Sequence, residues 1–438
     1  MNNICLVGVK SSENTIRHIA RAFAAANRDV GIARHMPPCY VMMSRLNNVR
    51  RHFATTARSL QDAGRRQTIH CTRPSTMTAW EIERYGSTSE MNLSTTTHIP
   101  TLRSPDDILI EVHAASVNPI DTRMLGGYGH VLFNKARQLK NCKQHNKRTS
   151  EFPLILGRDC SGIVRETGRN VDNKLLKPGD EVWAAIDLAK SGTHAEYVIG
   201  SSSEVTKKPV SLSHTEAASI PYVAGTTWTA LHSGCLTKKN ARHKKVLVLG
   251  GSGGIGTFAI QLLKAWGATV TCTCAPDAAD MVLSLGADVA INYKAPNIMQ
   301  ELKELDGFDF ILDTVGKYCD DGCRDLLLPG GSYVTLLSPL MHNTDDLGLV
   351  LGMARSAATF SCNVTQGLAS QGKHYRWAFF SPCRDGLEQV ARLVDDGKIR
   401  PVIEKVFPFR ELREAYKKVA TPHSRGKTVV SLIDDPQN

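Results

Sequence analysis

What this 438-residue chain lacks narrows it first. No apolar run approaches the roughly 18–20 residues needed to span a bilayer, so a transmembrane helix is not expected. The twelve cysteines form no paired C-x-x-C clusters, which argues against a structural zinc lobe or a disulfide framework. Free thiols in a reducing compartment are the simpler reading. Aromatic residues are sparse at 6%, but the 42% hydrophobic content is ordinary for a globular chain. Acids are scarce at the start: residues 1–76 hold twelve basic residues, eleven of them Arg, against Glu13, Asp29 and Asp62. That segment carries +9 of the net +11, so the remainder is close to neutral and no basic face for nucleic acid is expected.

Between Asp29 and Asp62, Arg34, Arg45, Arg50, Arg51 and Arg58 accumulate among Ser, Thr, Ala and Asn with no acid at all. Such an Arg-rich, acid-free start reads as a mitochondrial targeting segment, removed or left without a fold, and places the mature protein in the matrix. Arg51-His52-Phe53-Ala54-Thr55 suits a processing site. Met42 or Met43 would serve as its start, making residues 1–41 an upstream extension. An uncleaved basic tail is the alternative.

From Thr78 the texture becomes short β-rich runs. Asp107 to Ala114 alternates apolar and polar, as a half-buried strand does. Turn signals at Pro119, Gly126-Gly127, Gly157, Gly162, Gly168, Pro178-Gly179 and Gly192 point to a barrel or roll over about residues 78–215. Within it, residues 131–151 carry Lys135, Arg137, Lys140, Lys143, Lys147 and Arg148 against Glu151 alone. A solvated loop is the default for such a charge run; a patch for an anionic substrate tail or membrane surface is the alternative. Past Gly225, strands at 244–249, 268–274, 289–293, 308–315 and 332–338 alternate with helices at 255–266 and 278–285. This pattern implies βαβ units on a parallel sheet. Trp377–Phe380 would add a last strand, followed by helices at 385–394 and 411–419 and a closing strand at 427–433 that folds back onto the β-rich part.

The run Gly250-Gly251-Ser252-Gly253-Gly254-Ile255-Gly256 contains G-x-G-x-x-G at Gly251, Gly253 and Gly256, after a strand and before a helix. Glycines allow the tight turn and let the backbone approach a pyrophosphate, which the free amides and dipole of the helix start then bind. Five glycines in seven residues make a ligand-free strand–helix turn the weaker explanation. An acid about 20 residues on would select NAD by accepting from the ribose 2′-OH. Here stand Thr271-Cys272-Thr273-Cys274-Ala275, with no acid until Asp277. Thr273 could donate to a 2′-phosphate, and Tyr293-Lys294 adds a phenol and a cation. NADPH is favoured over NADH, with Asp277 the opposing sign.

These motifs, together with 115–121 (ASVNPID), 156–162 (LGRDCSG), 177–182 (KPGDEV) and 192–197 (GTHAEY), resemble the medium-chain dehydrogenase/reductase superfamily in its zinc-free quinone-oxidoreductase branch. The stretches 375–380 (YRWAFF) and 397–403 (GKIRPVI) resemble a mitochondrial group of that branch linked to NADPH oxidation, coenzyme Q biosynthesis and reticulon-type membrane partners. The resemblance covers almost all of the chain after Met77. It implies an α/β architecture: a doubly wound Rossmann cofactor domain over 223–380 and a GroES-like β-rich catalytic domain over 77–222 and 381–438. A homodimer is implied too. Zinc relatives would have a Cys near Asn118 and a His where Arg158 stands; neither is present, so no metal ligand is expected. The chemistry implied is hydride addition to a quinone or enone, with enoyl-thioester reduction and a cofactor-binding regulatory role as alternatives.

Asn118 could hydrogen-bond the nicotinamide or the acceptor oxygen, or simply make an Asx turn. Tyr128 resembles the proton-donating tyrosine of mitochondrial enoyl-thioester reductases, or else it fills space under a loop. Gly250, Ser252, Gly253, Gly254, Ile255, Gly256, Thr273, Ala275, Tyr293, Leu337, Tyr375, Ala378 and Phe379 are the expected cofactor contacts. Asp121 and Asp159 are expected to order loops, and His113 and His194 to be structural. His374 stays open.

Overall fold

The computed structural model describes residues 75–143, 151–316, 322–421 and 423–433. The expected targeting segment and its cleavage site lie outside them.

Sixteen strands follow in chain order among the described residues: β1 (Thr76–Ile82), β2 (Asn92–His98), β3 (Asp107–Val117), β4 (Leu154–Ile155), β5 (Asp159–Thr167), β6 (Glu181–Ala185), β7 (Tyr197–Ser201), β8 (Val205–Lys207), β9 (Lys245–Leu249), β10 (Thr269–Cys274), β11 (Val289–Asn292), β12 (Phe308–Asp313), β13 (Leu327–Thr335), β14 (His374–Trp377), β15 (Ile403–Pro408) and β16 (Lys427–Ser431). The helices used below are α1 (Pro119–Leu125), α2 (His130–Lys143), α3 (His214–Ala217), α4 (Pro221–Ser233), α5 (Gly254–Ala265), α6 (Ala279–Ser284), α7 (Ile298–Lys303), α8 (Leu340–Ala369), α9 (Arg384–Asp395) and α10 (Leu412–Ala420).

The apolar run Val246-Leu247-Val248-Leu249 is buried on both faces because β9 lies in the middle of a parallel sheet. The sheet order is β11-β10-β9-β12-β13-β14. β10 and β11 extend from β9 to one side and β12 to β14 to the other, so the order reverses between β9 and β12. In a doubly wound sheet that switch point leaves a crevice at the carboxyl ends of the strands. Phe258, Ile260, Leu262 and Leu263 of α5 pack into the apolar cluster on one face, with Trp266 just past the helix end. Leu247, Ile311, Tyr333 and Tyr375 anchor the other face.

The remaining strands make a sheet ordered β15-β16-β3-β5-β6-β8, with β7 paired to β3, and a small sheet β2-β1-β4. Its antiparallel core strand β3 touches β16, β5 and β7. Neighbours on all sides explain why β3 is buried almost throughout rather than half-buried, as its alternating sequence predicts.

Three other expectations change. The basic stretch after residue 130 is a helix, α2, not a loop. Phe133 anchors it in the core, and Arg137 turns inward to Asn134 and Glu151. Residues 144–150 of that stretch lie outside the described residues. The last parallel strand sits three residues earlier than expected, because Tyr375 and Trp377, two apart, are the side chains that bury. Helix α8 has no counterpart in the sequence reading. Its thirty residues bend at Gly348 (φ 77°), and it docks against α2.

At Gly162, β5 has no room for a side chain against β3: a Cβ there would lie 1.9 Å from the Glu111 carbonyl oxygen. Gly162→Ala is therefore expected to cost about 3 kcal/mol, read as a drop of several degrees in the thermal midpoint. An unchanged midpoint would contradict this reading of the strand contact.

Candidate functional site

The glycine turn joins β9 to α5 at the switch point. Gly250 has φ +87°, a region that favours glycine, and any side chain would meet Thr314. At Gly256 a Cβ would lie 2.1 Å from the Gly250 carbonyl oxygen, so the helix start sits directly on the turn. Gly253 differs. It is the N-cap of α5, no side chain caps the first-turn amides, and a Cβ on it would find nothing nearer than 3.8 Å. Donors without a side-chain cap at the positive end of a twelve-residue helix, beneath open space, fit a pyrophosphate.

The other expected cofactor residues are placed unequally. Thr273 is buried, and its Oγ1 accepts from the Gly250 amide at 3.0 Å, so it braces the turn rather than facing a 2′-phosphate. Ala275 follows β10 and is buried at 5% exposure. Leu337 packs over Gly316 in the loop after β12. Ala378 is buried and donates its backbone amide to the Thr335 carbonyl, while Phe379 is exposed. Tyr375 faces away into the aromatic core, stacked on Tyr333 with centroids 5.8 Å apart. Ser252 and Ile255 are half-buried in the turn itself.

Beyond β10 and β11 lies a polar cluster that the sequence reading touched only in part. Asp277, the acid that opposed NADPH, is paired with Arg425. The guanidinium holds its carboxyl below the usual carboxylate range. The Tyr293 hydroxyl is 3.0 Å from His423 Nδ1, and the Lys294 ammonium lies over the Tyr293 ring. Arg425 and His423 were missed because they come from the segment before β16, 148 residues from Asp277 in sequence. The clue was available: Arg425-Gly426-Lys427 leads into β16, and Gly426 has φ +89°.

That same segment touches the turn. The Gly426 amide donates to the Ser252 carbonyl at 3.0 Å, and Gly253 bridges Gly426. Lys427 then passes under Gly254, with its Cδ 2.8 Å from where a Cβ would stand.

Asn118 and its neighbours form a buried network at the other side of this contact. Asn118 caps α1 and is 1% exposed. Its Nδ2 donates to Asp159 Oδ1 at 3.1 Å, and its Oδ1 accepts from Lys427 Nζ. Ser116 Oγ donates to the same Asp159 oxygen at 2.5 Å. Asp121 receives the Asn118 backbone amide and lies 3.7 Å from Arg158 Nε, both fully buried. Burial pushes the Asp121 carboxyl up to about 6, with Arg158 opposing. His194 bridges the Ser116 carbonyl and the Tyr416 hydroxyl, and burial pushes its imidazole down to about 3. Position 158, where zinc relatives would have a ligand, thus holds a buried guanidinium. Among the described residues no group of three or more His, Cys, Asp or Glu could hold a metal ion.

Tyr128 lies in the Gly127–Gly129 loop, half-buried, with Arg123 5.8 Å from its ring centre. Burial raises its phenol, Arg123 opposing and Asp345 adding. Asp345 of α8 accepts from the amides of Gly129 and Val131 at 2.5 and 3.2 Å and pairs with His130. The loop carrying Tyr128 is thereby pinned to the helix that follows β13. Among residues the sequence reading missed, Asp345 is the one that ties this loop to the cofactor-side sheet. His374 lies partly buried in β14, and nothing gives it a role.

Residues 104–210 match the family model described as alcohol dehydrogenase GroES-like domain, and residues 285–430 that described as zinc-binding dehydrogenase. The chain is 48% identical over 366 residues to the mitochondrial NAD(P)H oxidoreductase RTN4IP1 of Danio rerio, covering 83% of this chain and 93% of that one. It is 40% identical to the mitochondrial reticulon-4-interacting protein 1 of Caenorhabditis elegans, over 82% of this chain and 96% of the relative. A trans-enoyl reductase of Aspergillus terreus, pgmF, is 31% identical over 82% of this chain and 98% of its own. Among solved structures, the quinone oxidoreductase of Coxiella burnetii superposes with a TM-score of 0.66 at 27% identity, over 82% of this chain and all of that one. The chain therefore belongs to the medium-chain dehydrogenase/reductase superfamily, in the family of mitochondrial NAD(P)H oxidoreductases named RTN4IP1, and is a nicotinamide-dependent oxidoreductase.

Proposed function

We propose that this protein is a mitochondrial, zinc-independent oxidoreductase that uses NADPH to reduce a quinone or enone acceptor, in the matrix and in the service of coenzyme Q biosynthesis. The observation that carries the cofactor half is the Asp277–Arg425 pair beside Lys294. An unpaired acid there would repel a 2′-phosphate; an acid neutralised by Arg, with a second cation adjacent, leaves a site that attracts one. Bound NADPH would supply a hydride from its dihydronicotinamide ring. The chain's own task is to align the acceptor, exclude water and manage the oxyanion that develops on it.

Tyr128 is the proton donor in this reading. A hydride and its two electrons reach the acceptor, the Tyr128 O–H bond breaks, and the proton goes to the acceptor oxygen or to the enone α-carbon. Solvent then reprotonates the phenolate. Asp345 keeps the loop in place while this happens. Asn118 acts from beneath, as the amide that joins the catalytic network to Lys427.

Enoyl-thioester reduction is the second reading, favoured by Tyr128 and by the likeness to a trans-enoyl reductase. The name of the nematode relative supports a reticulon-type membrane partner. The edge position of β14 in the parallel sheet offers a face for a homodimer.

Single-turnover oxidation of NADPH by a panel of quinones, enones and enoyl thioesters tests the acceptor. Faster transfer to enoyl thioesters than to any quinone would overturn the first reading. Tyr128→Phe is expected to lower turnover by roughly 10²–10⁴, and unchanged turnover would remove the phenol from the mechanism. Arg425→Gln is expected to weaken NADPH binding about tenfold or more while leaving NADH nearly unaffected. Equal weakening of both nucleotides in a fluorescence titration would contradict a 2′-phosphate role.

A further inference from the structure

Lys427 is 6% exposed, and its ammonium is shared between the Asn118 amide oxygen and Asp159, whose Oδ2 is 3.8 Å away. A buried cation is costly unless paired and hydrogen-bonded. The cost is not met by one tight ion pair: the closest partner is a neutral amide, and the carboxylate stands farther off. The second observation is where the side chain starts. One residue earlier, the Gly426 backbone is bonded to Ser252 and bridged to Gly253 in the cofactor turn, and the lysine stem fills the space under Gly254. A single side chain thus runs from the turn to the Asn118–Asp159–Ser116 network.

We propose that Lys427 is a positioning residue for hydride transfer, locking the Asn118 amide against Asp159 and carrying a fixed positive charge from the cofactor turn to the acceptor side of the cleft. The role rests on the reading of Gly250–Gly256 as the cofactor turn. An amide side chain has two ends that a half-turn exchanges. With Lys427 donating to Oδ1, only Nδ2 can face Asp159, so the ammonium dictates the orientation of the amide. Asp159 in turn receives Ser116 and the Tyr222 amide, which fixes the wall of the cleft. Negative charge appears on the acceptor as the hydride arrives, and a preorganised ammonium in a water-poor site lowers the energy of that charge without reorganising.

The groups around Lys427 are Asp159 of β5, Asn118 capping α1, Asp121 within α1, Arg158 just before β5, and His194, which burial keeps neutral at neutral pH. Burial lowers the lysine's affinity for its proton below the ordinary 10.5, with Asp159 and Asp121 opposing. Losing that proton frees the amide to turn, so the function of the residue has an alkaline limit.

The test compares full-length wild type, Lys427→Met and Lys427→Arg. NADPH affinity comes from fluorescence, hydride transfer from single turnovers between pH 6 and 10, with an acceptor the wild type reduces. The Asn118 side-chain amide is followed by nitrogen NMR in the ligand-free protein. Lys427→Met is expected to slow hydride transfer roughly 10- to 100-fold with NADPH affinity within about threefold. The wild-type alkaline decline disappears in Lys427→Met, and Lys427→Arg recovers most of the rate. Above the titration of Asp121, which burial pushes up to about 6, the Asn118 resonance shifts with rising pH in the wild type, as the lowered lysine affinity requires, and is flat in Lys427→Met. If Lys427→Met does not fold, Lys427→Arg carries the test through its higher alkaline limit. Equal losses of affinity and rate, an alkaline limb that persists without the lysine, or an Asn118 resonance indifferent to pH would each overturn the proposal. A wild type that fails to take up NADPH at all would instead overturn the cofactor-turn reading, while the Asn118 resonance still reports on the Lys427 contact.

Discussion

Two backbones touch where Gly426 meets Ser252 and Gly253, and the remainder of the site depends on that contact. One belongs to the turn between β9 and α5, the other to the segment leading into β16. Neither could carry bulk there: Gly254 would strike Lys427, and Gly426 has φ +89°. Because the contact is backbone to backbone, it fixes the register of everything that follows on the second chain segment. Arg425 is delivered to Asp277 on one side and Lys427 to Asn118 on the other. The Asp277–Arg425 pair and the buried network around Asn118 are therefore both set by one short stretch of chain.

A second contact limits how the cleft can vary. Asp345 of α8 receives the Gly129 and Val131 amides, so the loop with Tyr128 is held by an element that follows β13 of the cofactor-side sheet. Charge-assisted hydrogen bonds of this kind are stronger than neutral ones. The buried charges nearby are balanced in number: Asp121 and Asp159 against Arg158 and Lys427. Removing one member leaves an uncompensated charge in a dry site, which is why such a network resists piecemeal change.

Local signals were legible in the sequence and distant ones were not. The βαβ alternation, the glycine turn and the strand after the last helix each rest on periodicity or spacing within a few residues, and β9, α5, β10 and β16 lie within two residues of where those signals put them. The charge run after residue 130 misled because its cations hide a helix whose anchor, Phe133, is a single apolar residue among them. Helix α8 has a weak apolar face along much of its length, so no clear period announced it. Asp277 read as an argument against a 2′-phosphate because its partner, Arg425, lies 148 residues further along the chain. Asn118 stood out in its motif as a candidate. That Lys427 holds its oxygen was not, since only the folded backbone brings the two together.

If the amides under Gly253 hold a pyrophosphate, Gly253→Ala should weaken nucleotide binding without unfolding the chain. A Cβ at this position has ordinary φ (−76°) and no neighbour within 3.8 Å, so folding should survive at a cost of about 1 kcal/mol or less. The methyl group would nonetheless stand in the open space over the helix start. The variant is expected to keep a thermal midpoint close to wild type while its NADPH affinity falls about tenfold or more by fluorescence titration. Wild-type affinity in a protein with a wild-type midpoint would contradict that expectation.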